Sequence, residues 1–267
     1  MTAQPGFSAH SVTIGSGARR ALALHCTMAF GGAWTGFSKA LPDLTLVAPD
    51  MPSHGRSADW DEVSSFGETV FQAALAAMDD GPMDVIGHSF GGMIALRLAV
   101  EAPEKLRSLT VIEPVFFAVA KADAPDLLKN HAARAQPFSD AMTARDLETA
   151  ARTFNRMWSE DAPPWASLPE RTRAAMARAV HVVPDTQDFL FDDTAGLLNP
   201  GALDACTIPT LVVRGARSHP AITVAIDGIT KRMPNATSAV IEGAGHMAPI
   251  THPGAVAKVI EPLLARS

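Results

Sequence analysis

The run Gly87-His88-Ser89-Phe90-Gly91-Gly92 constrains this chain more than any other. Before it stands the short apolar run Met83-Asp84-Val85-Ile86, which reads as a strand. After it comes FGGMIALRLAV, residues 90–100, apolar almost all round as in a helix buried between a sheet and a surface layer. A strand that turns this tightly into a helix needs glycines beside the turn, because a side chain there would collide with neighbouring backbone. The same turn exposes the serine oxygen beside N–H groups able to hold a developing oxyanion, so Ser89 is the candidate nucleophile.

Strand-like segments also occur at 20–25, 44–49 and 109–114, and again at 210–215 and 238–243. Between them, Phe66, Val70, Phe71, Ala74, Leu75 and Met78 recur at helical spacing. Strand–helix–strand repeats of this kind make a parallel, doubly wound sheet. Residues 116–200 differ, being rich in Ala, Arg and Pro, with helices expected near 124–135, 143–158, 168–182 and 185–198. They read as a helical cap. Its aromatic side chains, among them Phe116, Phe117, Phe154 and Trp158, either line an apolar pocket or pack the cap's own core, and Met28 and Trp34 allow the same two readings.

Composition narrows the partners. With 22 Lys and Arg against 28 Asp and Glu, a net charge of -6 and no basic run, the chain carries no electrostatic footprint for nucleic acid. Two cysteines, Cys26 and Cys206, build neither a disulfide framework nor a zinc site. The opening MTAQPGFSAHSV does not read as a secretory leader, and no stretch nears the roughly 18 apolar residues of a membrane span. A cytoplasmic monomer or homodimer without nucleic-acid or membrane partners is expected.

The segments LHCTMAFGGAW (24–34), PDMPSHGRS (49–57), GHSFGG (87–92), IPTLVVRG (208–215) and EGAGHMAPITHP (242–253) follow one another in the order found in the α/β-hydrolase superfamily. The chain resembles that superfamily over nearly its whole length. The resemblance implies a doubly wound, mostly parallel eight-stranded α/β sheet built by residues 1–115 and 201–267, with residues 116–200 as an inserted helical cap. It implies hydrolytic chemistry, for which no metal or organic cofactor is expected.

His246 lies after the last strand, in a Gly-rich loop before a terminal helix, which makes it the candidate general base. His25, His54 and His88 fall in motif positions suited to hydrogen bonding around the site. The third member departs from the commoner family pattern. Where an acid usually follows the seventh strand, this chain reads Gly215-Ala216-Arg217-Ser218, and a serine cannot balance the charge of an imidazolium. Some branches, the haloalkane dehalogenases among them, place the acid after the sixth strand, and here that position is Glu113. The competing reading makes Glu113 a cap for the loop that enters the helical region. By the same resemblance the oxyanion donors are the N–H groups of Phe90 and Thr27, the latter in a loop where Cys26 replaces glycine. Cys26 has no paired base and reads as a small buried hydrophobe. Arg145, Arg152 and Arg156 offer a carboxylate site or, at helical spacing, a solvated face.

These residues point to hydrolysis of small, largely apolar carboxylic esters through an acyl-enzyme on Ser89, with a small-molecule ester as partner. An enol-lactonase, a C–C bond hydrolase or a perhydrolase would use the same constellation, and a small-molecule receptor of this fold would tolerate the missing acid at 218.

Overall fold

The computed structural model describes residues 2–158 and 163–267; the side chain of Trp158, a candidate pocket residue, lies outside what is described. One sheet contains β1 (Ser11–Ile14), β2 (Arg19–Leu24), β3 (Leu44–Pro49), β4 (Met83–His88), β5 (Leu106–Ile112), β6 (Thr210–Gly215) and β7 (Ala236–Ile241). Their order is β1-β3-β2-β4-β5-β6-β7, and every pair is parallel except β1 with β3. Among the described residues the sheet is one strand short of the expected eight. Before β1 the chain turns at Pro5-Gly6, with the Phe7 N–H bonded to the Gln4 carbonyl at 3.3 Å, which is not the extended backbone that a paired strand needs.

The α-helices, in chain order, are α1 (Thr35–Ala40), α2 (Phe66–Ala76), α3 (Phe90–Glu101), α4 (Phe117–Asp123), α5 (His131–Thr143), α6 (Leu147–Trp158), α7 (Glu170–Ala179), α8 (Gln187–Phe191), α9 (Pro220–Arg232), α10 (Ala248–Thr251) and α11 (Pro253–Arg266). Strand β2 shows why helices cover both faces. Leu22 and Leu24 point one way and Ala21 and Ala23 the other, and all four are buried. Phe66 of α2, Met93 of α3 and Ile226 of α9 pack on the leucine side. Phe37 of α1, Ala248 of α10 and Ile260 of α11 pack on the alanine side.

Helices α4 to α8 occupy the long connection between β5 and β6. Helix α4 buries Val119 in the main core, whereas α5 and α6 share a smaller core containing Phe138, Ala150, Ala151, Val180 and Val183. Pro137 suggests a break after 135, yet α5 runs through it, because the burial of Phe138 and Ala141 offsets the one hydrogen bond that proline removes. The helix expected from 143 starts instead at Leu147. Arg145 takes a left-handed φ of 56°, and the Asp146 carboxylate accepts the Thr149 N–H at 3.0 Å, so these residues make the turn and cap. The turn after α7 is fastened to the loop after β3. Arg178 donates to the Asp59 carboxylate at 2.8 Å and to the Ser57 carbonyl at 2.7 Å, and the Asp185 carboxylate accepts the Phe66 N–H at 2.8 Å.

Candidate active site

Between β4 and α3, Ser89 takes φ 55° and ψ -118°. Such a conformation costs a residue with a Cβ on the order of 1–3 kcal/mol and persists only where its surroundings impose it. Here the Ser89 N–H donates to the Ile112 carbonyl at 2.9 Å, and the Met93 N–H reaches back to the Ser89 carbonyl at 3.2 Å. The flanking glycines make the turn possible: a Cβ on Gly87 would lie 2.4 Å from the Gly91 carbonyl oxygen, and one on Gly91 would lie 2.4 Å from that of Leu24.

The serine oxygen lies 3.0 Å from His246 Nε2, and His246 Nδ1 lies 3.1 Å from Glu113 Oε2. A carboxylate accepts, so Nδ1 carries the ring proton and Nε2 accepts from the Ser89 hydroxyl. Glu113 is wholly buried at the end of β5, with a left-handed φ of 53° and its N–H bonded to the Val213 carbonyl at 2.7 Å. Its other oxygen, Oε1, accepts the Gly215 N–H at 2.6 Å and the Ser218 hydroxyl. Read alone, the sequence shows Ser218 only as a missing acid. The signal that finds its contact is the pairing of β5 with β6, which puts residue 113 and the loop after 215 side by side. A serine on an imidazole whose second nitrogen faces a carboxylate is the arrangement that general-base activation of a hydroxyl requires.

Thr27 and Phe90 both border the space in front of Ser89. The Phe90 N–H belongs to the first turn of α3, where N–H groups lack intrahelical acceptors and favour negative charge. The Thr27 loop is clamped from beneath. Met28, at φ 65°, donates its N–H to His54 Nε2 at 2.9 Å, and His54 Nδ1 donates to the Pro52 carbonyl at 2.8 Å. His25 repeats the device, accepting the Met51 N–H at 3.1 Å and donating to the Cys26 carbonyl at 2.8 Å. His88 Nε2 donates to the carbonyl of His246 at 2.8 Å. Burial, reinforced by neighbouring imidazoles, pushes His54 and His88 down to about 3, and burial alone lowers His25, which keeps the two clamping rings neutral and able to accept. Cys26 adopts no left-handed angle in place of glycine; the left-handed residue is Met28. Burial pushes the Cys26 thiol up to about 12, so it acts here as a small apolar group.

A cavity of about 420 Å³ opens onto Ser89 and His246 and extends among α5, α6 and α8. Met28, Phe117 and Phe154 line it, as the sequence suggests. Phe116 does not. It is fully buried in the main core, because it precedes the first residue of α4 and Phe117 takes the cavity side, stacked 4.7 Å from Phe191. Less expected from the sequence are Met142, Met157, Met176 and Met247, which with Met28 give the lining five of the chain's 11 methionines. Arg145, Arg152 and Arg156 are exposed and lie outside the cavity. Among the described residues no group of three or more His, Cys, Asp or Glu side chains is placed to hold a metal ion, and no helix is long and apolar enough to cross a membrane.

Known proteins resemble this chain in sequence and in fold. The chain is 28% identical over 244 residues to a pimeloyl-[acyl-carrier protein] methyl ester esterase of Methylococcus capsulatus, a match covering 89% of this chain and 91% of that one. It is 35% identical over 102 residues to lipase LipV of Mycobacterium tuberculosis, where the match spans 37% of this chain and only 38% of the lipase. A solved alpha/beta hydrolase from Sphaerobacter thermophilus superposes with a TM-score of 0.71 over 99% of both chains at 20% identity, a likeness of fold. The sequence profile of the alpha/beta hydrolase family matches residues 21–259, most of the length, and the chain therefore belongs to that family.

Proposed function

We propose that this protein is a serine hydrolase that cleaves small, largely apolar carboxylic esters through an acyl-enzyme on Ser89. The observation that carries this reading is the hydrogen-bonded line from Ser89 Oγ through His246 to Glu113, with its serine end in the cavity. His246 Nε2 takes the Ser89 proton as Oγ attacks the ester carbonyl, and the N–H groups of Phe90 and Thr27 receive the oxyanion. Glu113 holds the ring in the required tautomer and balances the imidazolium, which then protonates the leaving alcohol. Water enters as the second nucleophile and the same proton transfers release the acid. Residues 116–200 act as a cap that shapes the acyl site and keeps bulk water from it. The names of the relatives, an esterase and a lipase, support ester chemistry, and the Methylococcus protein's name makes methyl esters of longer acyl chains a further class to assay.

The test is steady-state hydrolysis of p-nitrophenyl esters from acetate to octanoate by the wild type and by Ser89→Ala. Many turnovers by the wild type, lost in the variant, are the expected result. Equal rates for the two proteins on every ester would overturn the reading.

A further inference from the structure

The cavity wall carries information that the acyl-transfer chemistry does not use. Two side-chain amides face it, Asn155 on α6 and Gln187 on α8, both half-buried. Among the described residues Asn155 makes no side-chain hydrogen bond. Gln187 makes one, a long 3.5 Å contact from Nε2 to the Val183 carbonyl, which leaves Oε1 without a donor. An amide offers one acceptor oxygen and two N–H donors, and thioethers and phenyl rings satisfy none of them. Whatever fills the cavity must meet these groups, as the few polar atoms of an apolar site generally orient its ligand.

Two further observations define that ligand. Among the described residues the lining contains no Asp, Glu, Lys or Arg, and burial lowers its His131 and so favours the neutral ring, so an ionised acyl tail would lose its hydration there without gaining a counter-charge. At roughly 30 Å³ for one water-sized group, the cavity of about 420 Å³ holds about 14 such groups, far more than an acetyl or butyryl chain fills. Five flexible methionine side chains adapt to a flexible chain and leave the fixed amides to set its register.

We infer that the preferred acyl group is a neutral chain of medium length bearing one ketone oxygen within the chain, and that the side-chain N–H groups of Asn155 and Gln187 donate to that oxygen. The inference rests on the ester-hydrolase reading and narrows it. The experiment compares kcat/KM for p-nitrophenyl decanoate with its 5-oxo and 7-oxo analogues in the wild type, Asn155→Leu and Gln187→Met. One oxo ester is expected to exceed the plain ester by roughly three- to tenfold, the worth of one net hydrogen bond, and the ratio should fall towards one in at least one variant. Ratios of one for both oxo esters in the wild type, or ratios unchanged in both variants, would overturn it. If the wild type hydrolyses no ester at all, the hydrolase reading is what fails. The same comparison is then made calorimetrically, with decanamide and its oxo analogues binding to Ser89→Ala, where equal affinities would overturn the assignment of the amides.

Discussion

At the carboxyl edge of the sheet, side chains are held by hydrogen bonds; along the cavity wall that the helical insertion supplies, they are held mainly by packing. Glu113 accepts from Gly215 and Ser218 as well as facing His246, His54 holds the Met28 N–H, and His88 holds the His246 carbonyl. The cavity wall is instead mostly apolar, with methionines and phenylalanines prominent, and of its two amides Gln187 is held by one long hydrogen bond. A network of the first kind tolerates little displacement, since each buried group left without its partner costs about 1–3 kcal/mol. Walls of the second kind repack for less than about 1.5 kcal/mol when volume is conserved. On the proposed mechanism, the position of the reacting atoms and the shape of the acyl site therefore depend on separate structures, and substitutions in the two should differ in kind as well as in size.

The sharpest way to break this comparison is Glu113→Gln, which presents an amide to His246 Nδ1 and favours the wrong tautomer. Turnover should fall by about 10³- to 10⁴-fold on every ester alike. A loss confined to long chains, seen in the same chain-length series, would mean that the two regions are not separate. Acid should act next most strongly, through the neutral rings. His54 and His88 are held at about 3 in the folded protein but titrate near 6.5 when unfolded, so the unfolded chain takes up protons first. Stability is full well above pH 6.5 and falls as the pH drops, by roughly 1 kcal/mol per pH unit for each ring between pH 6 and 4. Urea denaturation at pH 6 and pH 5 measures this, and an unchanged midpoint would place both rings in water.

His54→Leu removes the acceptor for Met28 N–H in the loop that carries Thr27. We expect turnover to drop by about 10- to 10²-fold through the displaced donor, across all chain lengths. Met157→Leu lies at the other extreme. With volume conserved, catalysis on the best ester should stay within about twofold, while the preferred chain length shifts. An equal loss on every ester from this substitution would show that the cavity wall also positions the reacting atoms.

Much of the layout around Ser89 is legible in the chain because it is local. A strand, a glycine-flanked serine and an apolar helix follow one another in 18 residues, from Met83 to Val100, and each enforces the next. Order along the chain, read with the resemblance to the α/β-hydrolases, points to Glu113 and His246 as candidate neighbours of Ser89, since parallel strands bring their carboxyl ends to one edge. What the chain does not display are contacts made by the sheet between distant residues. His54 and Met28 are 26 positions apart, and only the pairing of β2 with β3 brings the ring to the amide. Phe116 and Phe117 are indistinguishable as letters, yet one is core and the other cavity wall, because where α4 begins decides which way each turns. Pro137 misleads for a related reason: the rule against proline in helices is a cost, and the packing of Phe138 and Ala141 outweighs it.

The contact between Ser218 and Glu113 bears on what the site can absorb. It joins the end of β5 to the loop after β6 through a single hydrogen bond. A carboxylate placed at 218 would meet a second carboxylate there, and the pair would hold one proton between them, since like charges so close do not both ionise. The hydroxyl now at 218 donates to Glu113 without adding a charge to the site.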